Sequence, residues 1–475
     1  MPIRAYPKLT SGGKLRVWVG TLSNTRAPQL EFELNGAPAQ PRTVLPLRSV
    51  RPDALLRDTG ARRAWSGVFE FDNAAPDTAY EVRVRADTEP GMAVVRTRTL
   101  PTALPTDGES WFNVLLVSCF YAKGEHGKHL RSTLSALPAA YAPRFSILAG
   151  DQVYLDLPTF EDYDDDAPWL AERFERAYAE GWFGDHYGPV LARAPSICIP
   201  DDHEYWNNYP HVSPFIANTF SKNGRERWAA AARAAYAGFQ LGPPDGMGAG
   251  FELDLHPLSF FFVDTRTFRR EDRARSLHPS ALAQLEQWAK RVRDQRLYGV
   301  FVTGQSVFEA AAGELAGSAG DRALANYGDY AAITQCLRQV SERGRAVVCV
   351  TGDVHFGRVV YATEWSTGTP RAFEVICSPS SLVASPWDFY GRIVHHEADF
   401  PRHPDGVEPP YAIGAGAERW RCRTIHQQKG DQVAVLSFRR FAGTVQLRVS
   451  YWPIHARESV RRPTVLSPFS LRTPE

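Results

Sequence analysis

Six short apolar runs, each followed at once by polar residues, limit the folds that are open to this chain. Uninterrupted stretches of Val, Ile, Leu and Phe are typical of strands buried on both faces. In open α/β sheets, ligands gather at the carboxyl ends of the strands, so the polar residues after these runs are candidates for a site. The runs are NVLLVSC (113–119), RFSILAGDQVY (144–154), SICIPDDHE (196–204), SFFFVDTR (259–266), YGVFVTGQ (298–305) and AVVCVTGDVH (346–355).

Helical patterns lie between the apolar runs. In PSALAQLEQWAKRV, the residues Leu282, Leu285, Trp288 and Val292 recur at the spacing of one helix face, and Pro279 suits the first turn. The residues alone therefore predict an α/β sheet that presents polar side chains at one edge.

The first hundred residues have a different sequence pattern, in which apolar and polar residues alternate in short stretches. Gly, Pro and Asn separate the stretches, which predicts a small β-sandwich. The stretches are LRVWV (15–19), LEFEL (30–34), WSGVFEF (65–71), YEVRVRA (80–86) and VVRTRT (94–99). The segment TLPTALPTDGES (99–110) has the composition of a linker. We therefore predict an all-β domain over 1–104 and a second domain over 105–475, which VAVLSFRR (433–440) and TVQLRVSYW (444–452) close as strands.

The net charge gives no reason to expect a nucleic acid or an acidic membrane as partner. The 475 residues carry a formal net charge of +1, and 23% of them are charged, as in ordinary globular proteins. No apolar run has the length of a membrane span, and the first residues lack the apolar core of a signal peptide. We expect no membrane span and, if Met1 is the native start, a cytoplasmic protein.

Two further features have simple explanations. The six cysteines show no CxxC spacing, which favours buried thiols over a disulfide framework. The acidic run EDYDDDAP (161–168) has the composition of a calcium loop, but a solvated loop is the simpler expectation.

Most of the polar side chains that follow the apolar runs can bind metal. Carboxylates, imidazoles, a thiol and a phenol gathered at one edge would repel or desolvate one another unless cations were present. Oxygen ligands favour Ca²⁺, Mg²⁺, Mn²⁺ or Fe³⁺, whereas thiolate and imidazole favour a transition metal, so the mixed set predicts two unlike ions. Two close ions can clamp the attacking and leaving oxygens of a phosphoryl transfer. The residues are Cys119, Asp151, Tyr154, Asp202, His203, Gln305, Asp353 and His355.

Four sequence blocks resemble, in their residues and in their order along the chain, the PhoD-type alkaline phosphatases of the calcineurin-like metallophosphoesterase superfamily. The blocks are GDQVY, DDHEYWNN, VDTRTFR and GDVH, with SC upstream, and they fall within residues 105–400. The resemblance implies two mixed sheets between helices, in αββα order, instead of a single sheet. The N-terminal stretches resemble the domain that precedes the catalytic domain in that family, and TAYEVRV resembles a fibronectin type III strand. We therefore expect an α+β four-layer metallophosphoesterase sandwich with an N-terminal all-β (fibronectin III or Ig-like) domain.

The resemblance also implies a role for each candidate ligand. The ligands of a ferric site would be Asp151, Cys119, Tyr154 and His355. Asp151 would bridge this site to a second ion, Ca²⁺ in this family, which Asp202 and Asp353 would hold. The alternative metals are Mn²⁺, Zn²⁺ and Mg²⁺. From the residues alone, a core thiol remains an alternative for Cys119, and a packed ring remains one for Tyr154.

Two residues are expected to act on the substrate. By the resemblance, His203 would donate a proton to the leaving alkoxide or stabilise the transition state. Arg266 would pair with phosphate oxygens through its planar fork, although an ion pair with Asp264 is the alternative.

Neighbouring residues are expected to support these roles. Asn207 and Asn208 would orient the substrate or cap a helix. Gln305 stands where the superfamily has a histidine, and it would contact substrate or donate an oxygen to calcium. Asp201 and Glu204 would hold the turn that carries Asp202 and His203.

The predicted function is that of a metal-dependent phosphoesterase. It would hydrolyse phosphomonoesters, phosphodiesters or both through attack by metal-activated hydroxide. The partner is a small phosphoester, and the sequence does not give the oligomeric state. Proteins of this family are often exported, so the resemblance leaves the location open. Two alternatives remain: a calcium-dependent binding or adhesion protein with a silent phosphoesterase domain, and a nuclease that binds a short track near Arg266, Arg269 and Arg270.

Overall fold

The structure is a computed structural model, and its elements form three β-sheets with helices packed on them. It describes residues 3–58, 60–123, 127–159, 161, 163–240, 248–311, 322–365, 368, 370–381, 411–413, 419–454 and 462–472. Over these ranges the helices are α1 (Leu130–Ser135), α2 (Ala167–Trp182), α3 (Gly188–Arg193), α4 (Lys222–Phe239), α5 (Pro279–Asp294) and α6 (Tyr330–Val340). The first eleven strands are β1 (Arg4–Lys8), β2 (Lys14–Asn24), β3 (Leu30–Leu34), β4 (Ala37–Ala39), β5 (Arg42–Ser49), β6 (Arg63–Asp72), β7 (Ala79–Ala86), β8 (Ala93–Arg98), β9 (Phe112–Val117), β10 (Phe145–Ala149) and β11 (Ser196–Ile199). The remaining strands are β12 (Phe251–Leu255), β13 (Leu258–Phe262), β14 (Tyr298–Val302), β15 (Val347–Thr351), β16 (Gly357–Glu364), β17 (Pro370–Ile376), β18 (Tyr411–Ile413), β19 (Trp420–Gln428), β20 (Gln432–Phe441), β21 (Thr444–Pro453), β22 (Thr464–Val465) and β23 (Phe469–Ser470).

The six apolar runs are strands, as the sequence predicts, but two sheets share them. The first sheet has the order β22-β21-β20-β9-β10-β11-β1-β2-β6-β5, with β23 paired to β21. The second sheet has the order β12-β13-β14-β15-β17-β16-β19-β18. Strands β9, β10 and β11 are parallel to one another, and so are β13, β14 and β15. The carboxyl ends of each set therefore lie at one edge of its sheet.

Three apolar clusters hold the two large sheets and the helices together. One contains residues of β9–β11 with α2 and α4, a second contains residues of both sheets, and a third joins β13–β15 to α5 and α6. The face that the sequence predicts for α5 is the packed one, since Leu285, Trp288 and Val292 are buried and Leu282 is partly buried. Strands with both faces in apolar clusters account for the uninterrupted apolar runs.

The N-terminal strands form two sheets, one of which continues the first large sheet. Strands β3, β4, β7 and β8 make a separate four-stranded sheet, whereas β1, β2, β5 and β6 belong to the first sheet. The join is a parallel pairing of β1 with β11, in which Lys8 lies opposite Ser196. Strand β1 of the predicted sandwich is thus hydrogen-bonded to β11, one of the strands that precede the candidate site.

The C-terminal strands and the cysteines lie as the sequence indicates. Strands β20 and β21 form an antiparallel pair, and β20 is hydrogen-bonded to β9. All six cysteines are buried and free. Among the helices described, none combines the length and the hydropathy that crossing a membrane requires.

Glu70 on β6 gives the N-terminal region an acid-sensitive contribution to stability. Its buried carboxylate accepts hydrogen bonds from Lys14, Arg16 and Arg42. Burial alone would raise the pKa of Glu70, but these three cations outweigh it and lower the pKa from 4.5 to about 2. A lowered pKa stabilises the fold above about pH 4.5, and this contribution disappears as the pH falls towards 2.

We expect Glu70→Gln to remove most of this dependence. The free energy of unfolding would be measured with urea between pH 2.5 and 7. Between pH 7 and pH 2.5, it should fall in the parent protein by on the order of 2 kcal/mol more than in Glu70→Gln. Glu31→Gln on the exposed face of β3 is the control. Equal acid dependence in Glu70→Gln and the parent protein would contradict this role.

Candidate metal centre

The carboxyl ends of β9, β10, β11 and β15 bring most of the predicted ligands together. Three groups of side chains have ligand atoms within 4.8 Å of one another, and each group contains Asp151. The groups are Cys119, Asp151 and His355; Asp151, Asp202 and His203; and Asp151, Asp201, Asp202 and Asp353. Asp151 thus lies at the centre of the cluster, where a bridging ligand would lie.

Four of the predicted ligands have left-handed backbone conformations. The φ angles are 53° at Cys119, 55° at Asp151, 71° at Asp353 and 58° at His355. Residues other than glycine rarely adopt positive φ, and such conformations concentrate at functional sites where the surrounding structure imposes them. The turns after β9, β10 and β15 therefore hold these four residues in unfavourable backbone conformations, which position their side chains at the site.

A close approach of the two large sheets lets the ligands of β15 meet those of β9 and β10. A Cβ atom at Gly352 would lie 2.1 Å from the carbonyl oxygen of Ala149 and 2.3 Å from Ser118 Oγ. Both distances are far below van der Waals contact. Only glycine therefore fits before Asp353, and its absence of a side chain lets the strand ends converge.

Glu204 fixes the backbone that presents Asp151 and Asp202. One carboxylate oxygen accepts hydrogen bonds from the backbone N–H groups of Asp151 (2.9 Å) and Asp201 (2.8 Å), and the other accepts from Gln152 N–H (2.7 Å). Burial raises the pKa of Glu204 to about 7, although these donors and the Gln240 amide oppose the rise. The predicted turn-holding role of Glu204 thus consists of bonds to two segments of chain.

The N-terminal strand β1 supports the same network. Gln240, which follows α4, donates from Nε2 to Glu204 at 2.9 Å and accepts at its backbone oxygen from Lys8 Nζ at 2.8 Å. Both side chains are buried. Strand β1 is therefore connected to the backbone of Asp151 through Lys8, Gln240 and Glu204.

Cys119 and Tyr154 pack together on one side of Asp151. The Cys119 thiol lies 3.3 Å from Asp151 Oδ2, and Ser378 Oγ lies 2.9 Å from its sulfur. Burial raises the pKa of the thiol, and Asp151 and Asp353 raise it further. The hydroxyl of Tyr154 is buried without a well-formed hydrogen bond to any described residue, and burial followed by Cys119 and Asp151 raises its pKa.

His203 is held by Asp156, which sequence reasoning missed. The Nδ1–H of His203 donates to Asp156 Oδ1 at 2.8 Å, and Asp156 Oδ2 accepts from the backbone N–H of Asn207 at 2.8 Å. Burial alone would lower the pKa of His203, but Asp156, Asp202 and Asp151 raise it well above its usual value. The ring also lies on Tyr154, with 4.2 Å between centroids. In GDQVYLD, the second aspartate is the signal that the sequence offered for Asp156.

The two asparagines are buried in the turn that follows Glu204. The backbone N–H of Asn208 donates to Asp202 Oδ2 at 2.7 Å, as that of Asn207 does to Asp156. Their backbones thus orient two carboxylates of the site.

Arg266 and Gln305 are buried, as most of the candidate ligands are. The Arg266 side chain is 0% exposed, and its Nε donates to Asp201 Oδ1 at 2.7 Å. Its Nη1 donates to the backbone oxygen of Tyr209, and Asp264 accepts from the Arg266 backbone N–H. Gln305 accepts from Arg269 and donates to the backbone oxygen of Arg322. The bond to Asp201 uses Nε, so the Asp201 carboxylate fixes the orientation of the guanidinium.

The acidic run over 161–168 makes contacts that stabilise the fold. Asp164 and Asp166 pair with Arg57, Asp165 pairs with Arg227, and Asp166 accepts from Trp169 N–H at the start of α2. Among the described residues, none of this run belongs to a group that could hold a metal.

The donors around Asp151 fit bound cations. Burial raises the pKa of Asp151, and the carboxylates of Asp202, Asp201 and Glu204 raise it further, although His203 lowers it. The anionic forms of Asp151, Cys119 and Tyr154 therefore need a positive charge nearby, which metal ions supply. The buried Tyr154 hydroxyl, which lacks a well-formed hydrogen bond to the described residues, suits a ligand of this kind.

Comparison with known proteins supports the fold. Neither a protein-family model nor a curated protein sequence matches this chain. Among solved structures it is similar to one titled "Structure of PhoD", with a TM-score of 0.62 and 12% identity over 98% of this chain and 90% of that one. A second match is "GAP50 the anchor in the inner membrane complex of Plasmodium", with 9% identity over 77% of this chain and 90% of that one. Its TM-score of 0.38 is too low to carry an argument. The chain therefore has a PhoD-like fold.

Proposed function

We propose that this chain is a metal-dependent phosphoesterase that hydrolyses phosphomonoesters, phosphodiesters or both. The proposal rests on three groups of possible metal ligands, each of which contains Asp151. These groups lie at strand ends in a PhoD-like fold, and four of their residues have left-handed backbones. A purely structural cluster of buried acids would have little reason to adopt these conformations.

The residues that would hold the metals divide by chemistry. Cys119, Tyr154 and His355 offer a thiolate, a phenolate and an imidazole, which with Asp151 suit Fe³⁺. Asp202 and Asp353 offer hard oxygens, which with Asp151 suit Ca²⁺, and Mn²⁺, Zn²⁺ or Mg²⁺ are the alternatives. When bound, such ions would supply Lewis acidity towards phosphoryl oxygens and lower the pKa of water.

His203 and Asp156 act on the leaving group. The hydrogen bond between them fixes the imidazole ring, and the Asp156 carboxylate favours its protonated form. A protonated ring can give its proton to the departing alcohol oxygen as the bond to phosphorus breaks. Arg266, Asn207 and Asn208 support this step through Asp201, Asp156 and Asp202, and the terminal nitrogens of Arg266 would pair with phosphate oxygens.

The finer description of the fold belongs to the same proposal. The three apolar clusters of the large sheets and helices support an αββα order of layers. The separate four-stranded sheet supports an N-terminal all-β unit over 1–104, with the site in 105–475. The hydrogen bond from Lys8 to Gln240 implies that this unit stabilises the site.

The direct test is turnover by protein loaded with Fe³⁺ and Ca²⁺. Monoester and diester substrates of 4-nitrophenol should be hydrolysed at neutral to alkaline pH, and chelation followed by metal return should abolish and restore turnover. Fully loaded protein that hydrolyses neither substrate class would sink the proposal.

A dependence on the leaving group tests the role of Asp156. Asp156→Asn should lower kcat/KM by about 10²-fold for an alkyl phosphoester, since an alkoxide needs a proton to leave. The loss should be less than about 10-fold for a 4-nitrophenyl ester, whose leaving group is stable as an anion. Asp164→Asn in the acidic run is the matched control. Equal losses for both esters would mean that Asp156 only stabilises the structure.

A further inference from the structure

Two buried serine hydroxyls converge on the sulfur of Cys119. Ser118 Oγ lies 3.1 Å from Cys119 Sγ, and Ser378 Oγ lies 2.9 Å from it. Ser118 follows β9 of the first sheet and Ser378 follows β17 of the second, so both sheets supply a hydroxyl to the sulfur. All three residues are at most 1% exposed, so bulk water reaches neither hydroxyl.

The backbone after β15 orients both hydroxyls. The N–H of Asp353 donates to Ser118 Oγ, and the N–H of His355 donates to Ser378 Oγ, both at 3.2 Å. A serine hydroxyl has one hydrogen to donate and lone pairs that accept. Because an N–H group occupies a lone pair of each oxygen, each hydroxyl can direct its own hydrogen towards the sulfur. Another acceptor within reach of Ser378, the backbone oxygen of Asp353, is farther away, at 3.4 Å.

This arrangement suits an anionic sulfur. A neutral thiol is a weak acceptor, whereas hydrogen bonds to an ionised acceptor are among the strong ones. The turn that supplies the two N–H groups also carries the candidate ligands Asp353 and His355, each with a left-handed backbone. The two serines therefore connect the ligands of the second sheet to the one sulfur ligand of the first.

We propose that Ser118 and Ser378 are positioning residues that donate hydrogen bonds to the Cys119 thiolate and so hold it as a metal ligand. The inference rests on the metal centre of the proposed function. Partners that orient a metal ligand commonly account for about 10- to 100-fold in metal affinity. Hydrogen bonds to a ligating sulfur also stabilise its negative charge, which raises the reduction potential of a bound iron.

Cobalt binding reports on the sulfur directly. Co²⁺ bound to a thiolate gives a sulfur-to-metal charge-transfer band in the near ultraviolet, and donors to the sulfur move this band to shorter wavelength. We expect Ser118→Ala and Ser378→Ala each to shift the band to longer wavelength and to weaken Co²⁺ binding by about 10-fold in a titration. With iron in place of cobalt, the reduction potential should fall in both variants.

Ser380→Ala is the matched control. This serine is also fully buried and follows the same strand, but its hydroxyl donates to the backbone oxygen of Cys119, at 3.5 Å, and not to the sulfur. Its loss should leave the band and the Co²⁺ affinity as in the parent protein. Band positions and affinities in Ser118→Ala and Ser378→Ala that equal those of the parent would overturn the serine assignment.

Two further outcomes separate this assignment from the proposed function. A parent protein whose cobalt spectrum shows no band that Cys119→Ser removes would overturn the thiolate ligand, and the serine assignment with it. If the band and its shifts are present but protein loaded with Fe³⁺ and Ca²⁺ hydrolyses neither ester class, the proposed function fails and the serine assignment stands.

Discussion

Asp151→Asn should reduce phosphoester turnover by about 10³-fold or more, because it removes the one carboxylate common to all three ligand groups. An asparagine keeps the shape but loses the charge that two cations would share. The fold should survive for two reasons. Asparagine tolerates the left-handed backbone of this position, where φ is 55°. Its side-chain oxygen can still accept a hydrogen bond from the backbone N–H of His203, as Asp151 Oδ1 does at 3.2 Å.

The measurement is steady-state kinetics, together with metal content per chain and thermal unfolding. Asp164→Asn is the control, since this exposed carboxylate pairs with Arg57 away from the ligand groups. The variant should lose metal and turnover together while its unfolding temperature, compared without metal, stays close to that of the parent. An Asp151→Asn protein that retains the parent rate would remove the basis of the proposed site.

Glu204→Leu should destabilise the fold more than any of the other substitutions. Leucine would leave three buried backbone N–H groups, those of Asp151, Gln152 and Asp201, without their acceptor. The side-chain amide of Gln240 would lose its partner as well. Each such loss costs about 1–3 kcal/mol, so the free energy of unfolding should fall by at least about 4 kcal/mol.

Urea unfolding of metal-free protein measures this loss directly. Glu204→Gln should lie between the parent and Glu204→Leu, because it keeps one acceptor oxygen and introduces an N–H₂ group among donors. Glu172→Leu on the exposed face of α2 provides the control for the change to leucine. If Glu204→Leu matched the stability of the parent, the network would not hold the turns that carry Asp151 and Asp202.

Local pattern was sufficient to predict the strands that carry the site. A strand with both faces buried reveals itself as an uninterrupted apolar run, and the residue at which the run ends can be read from the sequence. For this reason the amino-acid pattern alone places Asp151, Asp202 and Asp353 at strand ends and groups them. Asp353 lies at the end of a strand in the other sheet, and it meets Asp151 and Asp202 because the two sheets approach closely at Gly352, a contact that the local pattern does not predict.

The parts that sequence reasoning missed depend on contacts between distant residues. The pairing of β1 with β11 joins Lys8 to Ser196, and no local pattern announces such a partner. Asp156 looks like any loop acid until His203 is seen 2.8 Å away. Arg266 follows Asp264 by two residues, and only the packing of the chain shows that its Nε donates to Asp201.

Metal content in the purified protein tests the central claim most directly. Iron and calcium per chain would be measured by elemental analysis, with a visible spectrum of the same sample and of Tyr154→Phe. We predict about two metal ions per chain and a phenolate-to-iron charge-transfer band that Tyr154→Phe lacks. Protein that binds no metal above background after incubation with iron and calcium, or with manganese, zinc or magnesium, would contradict a metal centre around Asp151.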